Sequence, residues 1–318
     1  MIFISRNDLD KLIDFDEVLE KTKKAYMLFS KGKTVTPPFT VFTIPESKGS
    51  VHFKCGYVQG DSYFAMKYSG AFYGNEKLGL SNFLGLFVVF NAKTGEVEAV
   101  IDDKGYLTDY RTAVAGAIAT SSMANKNSKT VAMIGTGVQA RMQLFALMNV
   151  MEIDTLKVWG RNNKNVKQYI KEVKVKYPDL KIIECKTAKD AVSDADIVYT
   201  VTYSEEPIIK AEWLKKGAHI TAIGACEPHM QELDEKIFLL ANTICVDSKL
   251  ACFDNGELHH AVNKNCVKLN DVLELGEFLA KPKPRKETDI TVCDLVGVGF
   301  QDATIANTVM KKYKKLKK

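Results

Sequence analysis

Residues 130–140, TVAMIGTGVQA, constrain this chain more than any other stretch. An apolar run meets Gly135-x-Gly137-x-x-Ala140 and is followed by QARMQLFALMNVM, which reads as a helix. A strand that turns sharply into a helix needs glycine at 135 for the turn. Glycine at 137 lets the backbone approach a pyrophosphate, and a small residue at 140 lets the helix pack on the strand. The pyrophosphate then rests at the helix N-terminus, where unpaired N–H groups and the helix dipole favour an anion. A GxGxxA alone is a weak signal. Here the preceding strand, the following helix and a second strand, TLKVWG (155–160), are all present, so the stretch predicts a dinucleotide site.

The end of that second strand bears on which dinucleotide. A site selective for NAD carries Asp or Glu there to bind the ribose 2′-hydroxyl, whereas this chain has Trp159-Gly160-Arg161-Asn162. An arginine without an acid suits a 2′-phosphate. NADP(H) is therefore favoured, and NAD(H) stays open if Arg161 only stacks on adenine.

Six apolar runs (130–135, 155–160, 181–185, 196–202, 219–225 and 243–248) are separated by helical or loop segments. None alternates strictly, which indicates a parallel sheet covered on both faces. ITVCDLVGVGFQD (290–302) reads as a further strand before a terminal helix. At the other end Ile2–Ile4 reads as a strand, and Val18, Leu19, Ala25, Tyr26, Leu28 and Phe29 recur at helical spacing until Gly32. From Thr40 short strands follow in series (VFTIP, SVHFKCGYV, YFAMKYS, FLGLFVVFN, VEAVIDD), with AKTG (92–95) as a hairpin turn, as in a twisted sheet or open barrel. The terminal helix is expected to pack back on this part. The expected organisation is a discontinuous first domain, 1–116 with 303–318, and a dinucleotide-binding domain, 117–302.

Charge says little about the body. The formal net charge is +5, but six of the last eight residues, KKYKKLKK, are lysines, and the remaining chain sums to −1. A nucleic-acid-binding body would cluster basic residues on one face, and a lysine-rich end reads as solvated. No apolar run reaches the roughly 18 residues of a membrane-spanning helix. The start, MIFISRNDLD, lacks the basic segment of a secretory signal. Seven scattered cysteines, with no CxxC pair and no Cys/His cluster, read as free thiols in a reducing compartment rather than a metal site. His259-His260 diverge on any regular element and read as hydrogen-bonding groups. The expected setting is cytoplasmic, without nucleic acid, membrane or metal.

Five stretches together resemble the ornithine cyclodeaminase/mu-crystallin family: GYLTDYRTAVAGAIAT (105–120), VAMIGTGVQARMQL (131–144), HITAIGACEPHMQELD (219–234), VDSKLACFDNGELHHAV (246–262) and DLVGVGFQD (294–302). The resemblance implies an α/β fold: a Rossmann NAD(P)-binding domain plus an α+β open-barrel-like substrate and dimerisation domain, in a homodimer. It implies hydride transfer between nicotinamide and the α-carbon of a small amino or imino acid. On the family pattern Lys67, in AMKYSG, and Arg111, in TDYRTA, hold the substrate carboxylate, which suits a guanidinium fork and a second cation. Thr112, Gly137, Val138, Gln139 and Arg161 match cofactor positions. Gly135, Thr136, Asn162 and Thr202 join that set, and Val298 resembles a residue lining the nicotinamide.

Two departures from the pattern shape the functional expectation. Where many members have an arginine after two prolines, this chain has Pro37-Pro38-Phe39. Lys54, which follows His52 in VHFKCGY, is the candidate replacement, with His52 and Asn82 as further substrate contacts; the alternative is that Lys54 is an exposed strand residue. In the loop after HITAIGA, Cys226 stands where members have a proton-moving aspartate. A thiol with an ordinary pKa of about 8.5 is a poor water activator at neutral pH. Glu227 and His229 become candidates, and a packing role for Cys226 stands beside a catalytic one. Imine reduction tolerates the loss, because hydride transfer to a protonated C=N bond needs positioning and charge placement rather than a strong base. The leading expectation is NAD(P)H-dependent reduction of a ketimine or iminosuccinate-type substrate. Deamination of the ornithine cyclodeaminase or alanine dehydrogenase type fits less well. A third reading, an NADPH-dependent binder of small aromatic ligands like mu-crystallin, would use Phe39, Phe53 and Phe72.

Overall fold

The computed structural model describes residues 1–317. Lys318, the last terminal lysine and the end of the expected 303–318 segment, lies outside the described residues. The chain forms two compact units, one of Met1–Val114 with the segment from Val298 onward, the other Ala115–Gly297. The expected breaks at 116/117 and 302/303 therefore move to 114/115 and 297/298.

In the first unit β1 (Ile2–Ser5) leads into α1 (Arg6–Leu12) and α2 (Phe15–Phe29). Ile13 and Asp14 separate the two helices. The extended backbone of Ile13 ends the first, and the Asp14 carboxylate caps the second by accepting the Glu17 N–H at 2.9 Å. β2 (Thr34–Val35), β3 (Thr40–Ile44), β4 (Gly49–Val58), β5 (Tyr63–Phe72), β6 (Phe83–Asn91) and β7 (Val97–Asp102) follow, and then α3 (Tyr106–Met123). The strand order is β1-β7-β6-β5-β4-β2, with β3 also on β4. The register sets Lys54 of β4 directly opposite Lys67 of β5. Alternation along β5 puts Lys67 on the face of buried Tyr63 and Ala65, so a lysine stands on the core face of the sheet. Like charges opposite one another destabilise a strand pair, and a third element has to offset them.

The second unit alternates strand and helix: β8 (Thr130–Ile134), α4 (Val138–Met148), β9 (Thr155–Trp159), α5 (Asn163–Lys176), β10 (Lys181–Glu184), α6 (Ala188–Val192), β11 (Ile197–Thr200) and β12 (His219–Ala222). It continues through α7 (Ile237–Leu240), β13 (Ala241–Val246), α8 (Lys249–Asp254), α9 (Gly256–Asn263), β14 (Leu273–Glu274), α10 (Leu275–Ala280) and β15 (Ile290–Asp294). All pairings are parallel, in the order β10-β9-β8-β11-β12-β15-β13-β14. Every residue of β11, β12 and β15 is buried, as expected of strands covered on both faces. The order reverses between β8 and β11, and sheets of this kind bind ligands outside the strand ends at that point.

The run 290–302 is strand only as far as Asp294. Gly297 takes a positive φ of 77°, and α11 (Gly299–Leu316) begins two residues later. That helix packs on β4, β5 and α2 within the first unit. The seating depends on two facing glycines. A Cβ on Gly299 would lie 1.8 Å from the Cys55 carbonyl oxygen, and one on Gly56 would lie 2.1 Å from the Gly299 carbonyl oxygen. Backbone therefore touches backbone where the start of α11 crosses β4. Among the described residues no helix is long and apolar enough to cross a membrane.

Because neither backbone can retreat, Gly56→Ala should lower stability by about 1–3 kcal/mol through overpacking. The check is the urea midpoint, with Gly74→Ala as reference, since a methyl there meets nothing within 4 Å and φ is −93°.

Candidate active site

The first unit gathers three cations around the carboxylate of Asp302. Lys54, Lys67, Arg111 and Asp302 are all buried, Asp302 completely. The Lys67 Nζ lies 3.2 Å from both Asp302 oxygens, and Arg111 donates from Nε to Oδ1 at 3.0 Å. Gln301 accepts from Arg111 Nη1 at 2.9 Å and from the Val298 N–H at 3.1 Å, and donates to the Tyr26 hydroxyl. Two of the guanidinium nitrogens are thus fixed, and Nη2 makes no hydrogen bond among the described residues. Lys54 lies over the Phe39 ring, its Nζ 4.5 Å from the centroid. The exposed-strand alternative for Lys54 is therefore set aside, because its side chain is buried beside the other cations.

Burial shapes these charges. It pushes Lys67 down to about 7, with Arg111 and Lys54 adding to the effect and Asp302 opposing it. Burial works to raise Asp302 too, but Lys67, Arg111 and Lys54 outweigh it and hold the carboxyl below its usual range. Asp302 is the acid in contact with Lys67 and Arg111, and buried Asp103 feels Lys67 from farther away; three basic groups still outnumber the acids, the condition for taking up an organic carboxylate. Asp302 and Gln301 were missed by the sequence reading. Their signal was an acid and an amide in the first helical turn after a glycine-rich run.

The other residues expected to touch substrate have hydrogen-bond partners of their own. His52 bonds through Nε2 with the Ser50 hydroxyl at 3.0 Å. Asn82 accepts the Glu76 N–H at 3.3 Å and tethers the 75–82 loop. Thr112 also belongs to this unit, its hydroxyl donating to the Thr108 carbonyl at 2.7 Å, and Val298 is the residue before α11.

The second unit holds the dinucleotide motif. Gly135 has φ 117°, where a Cβ would lie 2.8 Å from the Val201 carbonyl oxygen, so the turn admits only glycine. A Cβ on Gly137 would meet nothing within 4 Å, which leaves open space in front of the start of α4. Gly137 precedes that helix without a side-chain cap, and its first N–H groups remain available to an anion. Arg141 fastens the loop by donating to the Thr136 and Gly137 carbonyls at 2.7 and 3.0 Å. Val138 is exposed, Gln139 accepts from Gln143 at 3.1 Å, and Ala140 is buried. This cradle fits a dinucleotide phosphate. Arg161 is exposed and donates to the Tyr203 carbonyl at 2.9 Å, while Asn162 spends its side-chain oxygen on the Lys164 and Asn165 N–H groups as the cap of α5.

At the strand ends a buried acid holds the loops. Glu232 accepts the Thr202 N–H and hydroxyl at 2.5 and 2.6 Å and the Gly224 N–H at 2.9 Å. Burial pushes its carboxyl up to about 7, against those hydrogen bonds. Glu257 in turn takes the Glu232 and Leu233 N–H groups at 2.7 and 3.0 Å. Thr202, expected to meet the cofactor, is thus oriented by a residue the sequence reading passed over. Cys226 packs against the unit's hydrophobic core, and Glu227 lies 3.7 Å from His229 Nδ1. His229 bonds with the Tyr203 hydroxyl at 3.1 Å. His259 and His260 bond separate carbonyls, those of Phe253 and Met230.

The family model of the ornithine cyclodeaminase/mu-crystallin family matches residues 1–317. The chain belongs to that family. It is 34% identical over 317 residues to an uncharacterized cyclodeaminase of Sinorhizobium fredii, covering 98% of this chain and 96% of that one. The fold is similar to that of Thermococcus litoralis Δ1-pyrroline-2-carboxylate reductase in complex with NADH and L-proline (TM-score 0.92, 29% identity, 99% and 98% coverage). It is similar too to an archaeal alanine dehydrogenase dimer with bound NAD (TM-score 0.91, 30% identity, 100% and 97% coverage).

Removing the acid leaves buried cations unopposed. Asp302→Asn should cost about 3–5 kcal/mol in denaturant. Lys67 supplies a pH signature. Between about 7 and 10.5 the unfolded lysine holds a proton that the native one sheds, so stability rises with pH across that window. Lys67→Met should flatten this slope, read from urea midpoints across that range; an unchanged slope would contradict the assignment.

Proposed function

We propose that this protein is an NAD(P)H-dependent oxidoreductase that reduces the C=N bond of a small imino acid. The observation that carries the reading is the buried cluster of Lys54, Lys67 and Arg111 around Asp302, in a chain that also carries a dinucleotide cradle. A pyrroline-2-carboxylate reductase of the same family and closely similar fold supports it.

Arg111 presents Nη2 to the substrate carboxylate while Asp302 and Gln301 fix its plane. Lys67 adds a second cation and holds a proton that exchanges near neutrality. Lys54 gives the site room for a second anionic group, so a dicarboxylate imine is the favoured substrate class. Bound at the α4 cradle, the nicotinamide dinucleotide supplies the hydride. The imine carbon takes that hydride and the nitrogen keeps a proton, so the product is an amino acid. Glu232 keeps Thr202 in place for the dinucleotide, and Arg161, with no acid beside it, favours the 2′-phosphate of NADP(H).

Deamination through an activated water is disfavoured, because Cys226 packs into the core where that chemistry needs an acid. Glu227 and His229, 3.7 Å apart, form the nearest titratable pair for any proton movement in that loop. The first unit is the substrate and dimerisation domain, and the setting is cytoplasmic. An archaeal relative is a dimer, and the connection between β5 and β6 exposes Tyr73, Leu78 and Leu80, with Phe83 at the start of β6, an apolar strip suited to a second copy.

The deciding assay follows NADPH and NADH absorbance with cyclic ketimines, oxaloacetate plus ammonia, and pyruvate plus ammonia or methylamine. Oxidation of NADPH in preference to NADH is expected with at least one imine. Lys67→Ala and Arg111→Ala should each raise KM at least tenfold, the scale of one lost charge-assisted hydrogen bond. Full activity in either variant would sink the clamp, and clear turnover of ornithine to proline would reverse the order of the two chemistries. In sedimentation the protein should run as a dimer, and Leu78→Asp with Phe83→Asp as a monomer.

A further inference from the structure

The turn from β7 into α3 holds a second acid of the first unit. Asp103 is completely buried. Its Oδ2 accepts the Leu107 N–H at 2.8 Å, and its carbonyl accepts the Tyr106 N–H at 3.1 Å. Between strand and helix the chain takes two successive left-handed residues, Lys104 at φ 56° and Gly105 at φ 88°. A lysine seldom adopts that conformation, so the turn is held in place by its surroundings. The Lys104 side chain is exposed and pairs with Asp102 at 2.7 Å. Taken alone, Asp103 would be an ordinary acid at the positive end of a helix dipole.

Its place on the sheet is not ordinary. Lys67 of β5 pairs with Phe87 of β6, and Phe87 with Ile101 of β7, all three on the core face. Two residues further along, alternation brings Gly85 of β6 and, just past β7, Asp103 to that same face. A Cβ at position 85 would lie 2.9 Å from the Asp103 Oδ1 and 2.5 Å from the Gly105 nitrogen. The glycine therefore leaves the carboxylate room on the face that carries Lys67. Among the described residues no side chain donates a hydrogen bond to Asp103. Burial raises its carboxyl, and the Leu107 N–H and the charge of Lys67 work against that rise.

We propose that Asp103 is a positioning residue for the substrate carboxylate: it sets Arg111 through the start of α3 and supports the ammonium of Lys67 through its charge. Arg111 lies one helical turn beyond Leu107 on the same side of α3, so the bond to the Leu107 N–H fixes where the guanidinium emerges. Lys67 is faced by Asp302 from α11, Arg111 from α3, Lys54 from β4 and Asp103 from the end of β7. β6 presents Phe87, and the Tyr26 hydroxyl of α2 is taken by Gln301. The role in substrate binding rests on the imino-acid reading above, whereas the effect of Asp103 on Lys67 exists in the free protein.

The test compares Asp103→Asn, which keeps an oxygen for the Leu107 N–H but loses the charge, with Asp103→Ala, which loses both. Urea midpoints of the free protein are read against pH. Stability of the parent rises with pH from about 7, where native Lys67 sheds its proton. Without the negative charge Lys67 sheds it earlier, so in Asp103→Asn the rise should begin about half a pH unit lower or more. In a Lys67→Met background the same substitution should leave no such shift, which separates Lys67 from the titration of Asp103 itself. An unmoved onset, or a shift that persists without Lys67, would overturn the charge role. In the imine assay Asp103→Ala should raise KM about tenfold with kcat little changed, the scale of one lost hydrogen bond to a charged group. Asp103→Asn should raise it clearly less, and equal losses in the two variants would overturn the placement of Arg111 by Asp103. A parent that reduces no imine while the onset still moves would count against the oxidoreductase reading and leave the action of Asp103 on Lys67 standing.

Discussion

One buried carboxylate organises the first unit. Asp302 lies against Lys67 and Arg111, with Lys54 close enough to affect its charge. Lys54 and Lys67 are forced into opposition by the register of β4 and β5, and a sheet does not place two lysines on its core face without an offsetting charge. The acid arrives from the far end of the chain on α11. It can do so because Gly56 and Gly299 allow backbone to touch backbone at the helix start. Strand register, the glycine contact and the ion cluster are thus successive conditions, each required by the next.

The second unit solves a similar problem differently. Glu232 and Glu257 are as deeply buried as Asp302, but their hydrogen bonds come from backbone N–H groups and the Thr202 hydroxyl rather than from cations. The consequence is opposite in sign. Cations hold Asp302 ionised, whereas burial raises Glu232 and Glu257 toward the protonated form. One arrangement leaves positive charge for a ligand. The other consumes loop donors to fix Thr202 and Gly224 beside the glycine-rich turn.

Which features were legible in the sequence follows from how local their causes are. Gly135 and Gly137 answer to a turn and a helix start within a few residues, and the parallel strands announce themselves as uninterrupted apolar runs. Lys67 and Arg111 were readable from their motifs. Asp302 was not, because an acid in a first helical turn has an ordinary explanation in the helix dipole, and its partner Lys67 is 235 positions away. Nothing in the ELD segment marks Glu232 as an interior acid, yet it is fully buried. The strand read through to residue 302 overran because Leu295–Val298 continue the apolar pattern. Only the positive φ at Gly297 marks the change of direction.

The same cluster ties substrate binding to protons. Lys67 is brought down to about 7 because burial and its two basic neighbours outweigh the pull of Asp302. On the proposed reading an incoming carboxylate adds a second negative charge to that balance and favours the ammonium form. Binding therefore draws a proton onto Lys67 from solvent, and the carboxylate meets a stronger cation than the empty site holds. The alkaline form of the free protein spends less energy confining three charges in its core. The liganded form recovers the third charge when there is an anion to hold it, so the destabilising proton is taken up mainly when it is used.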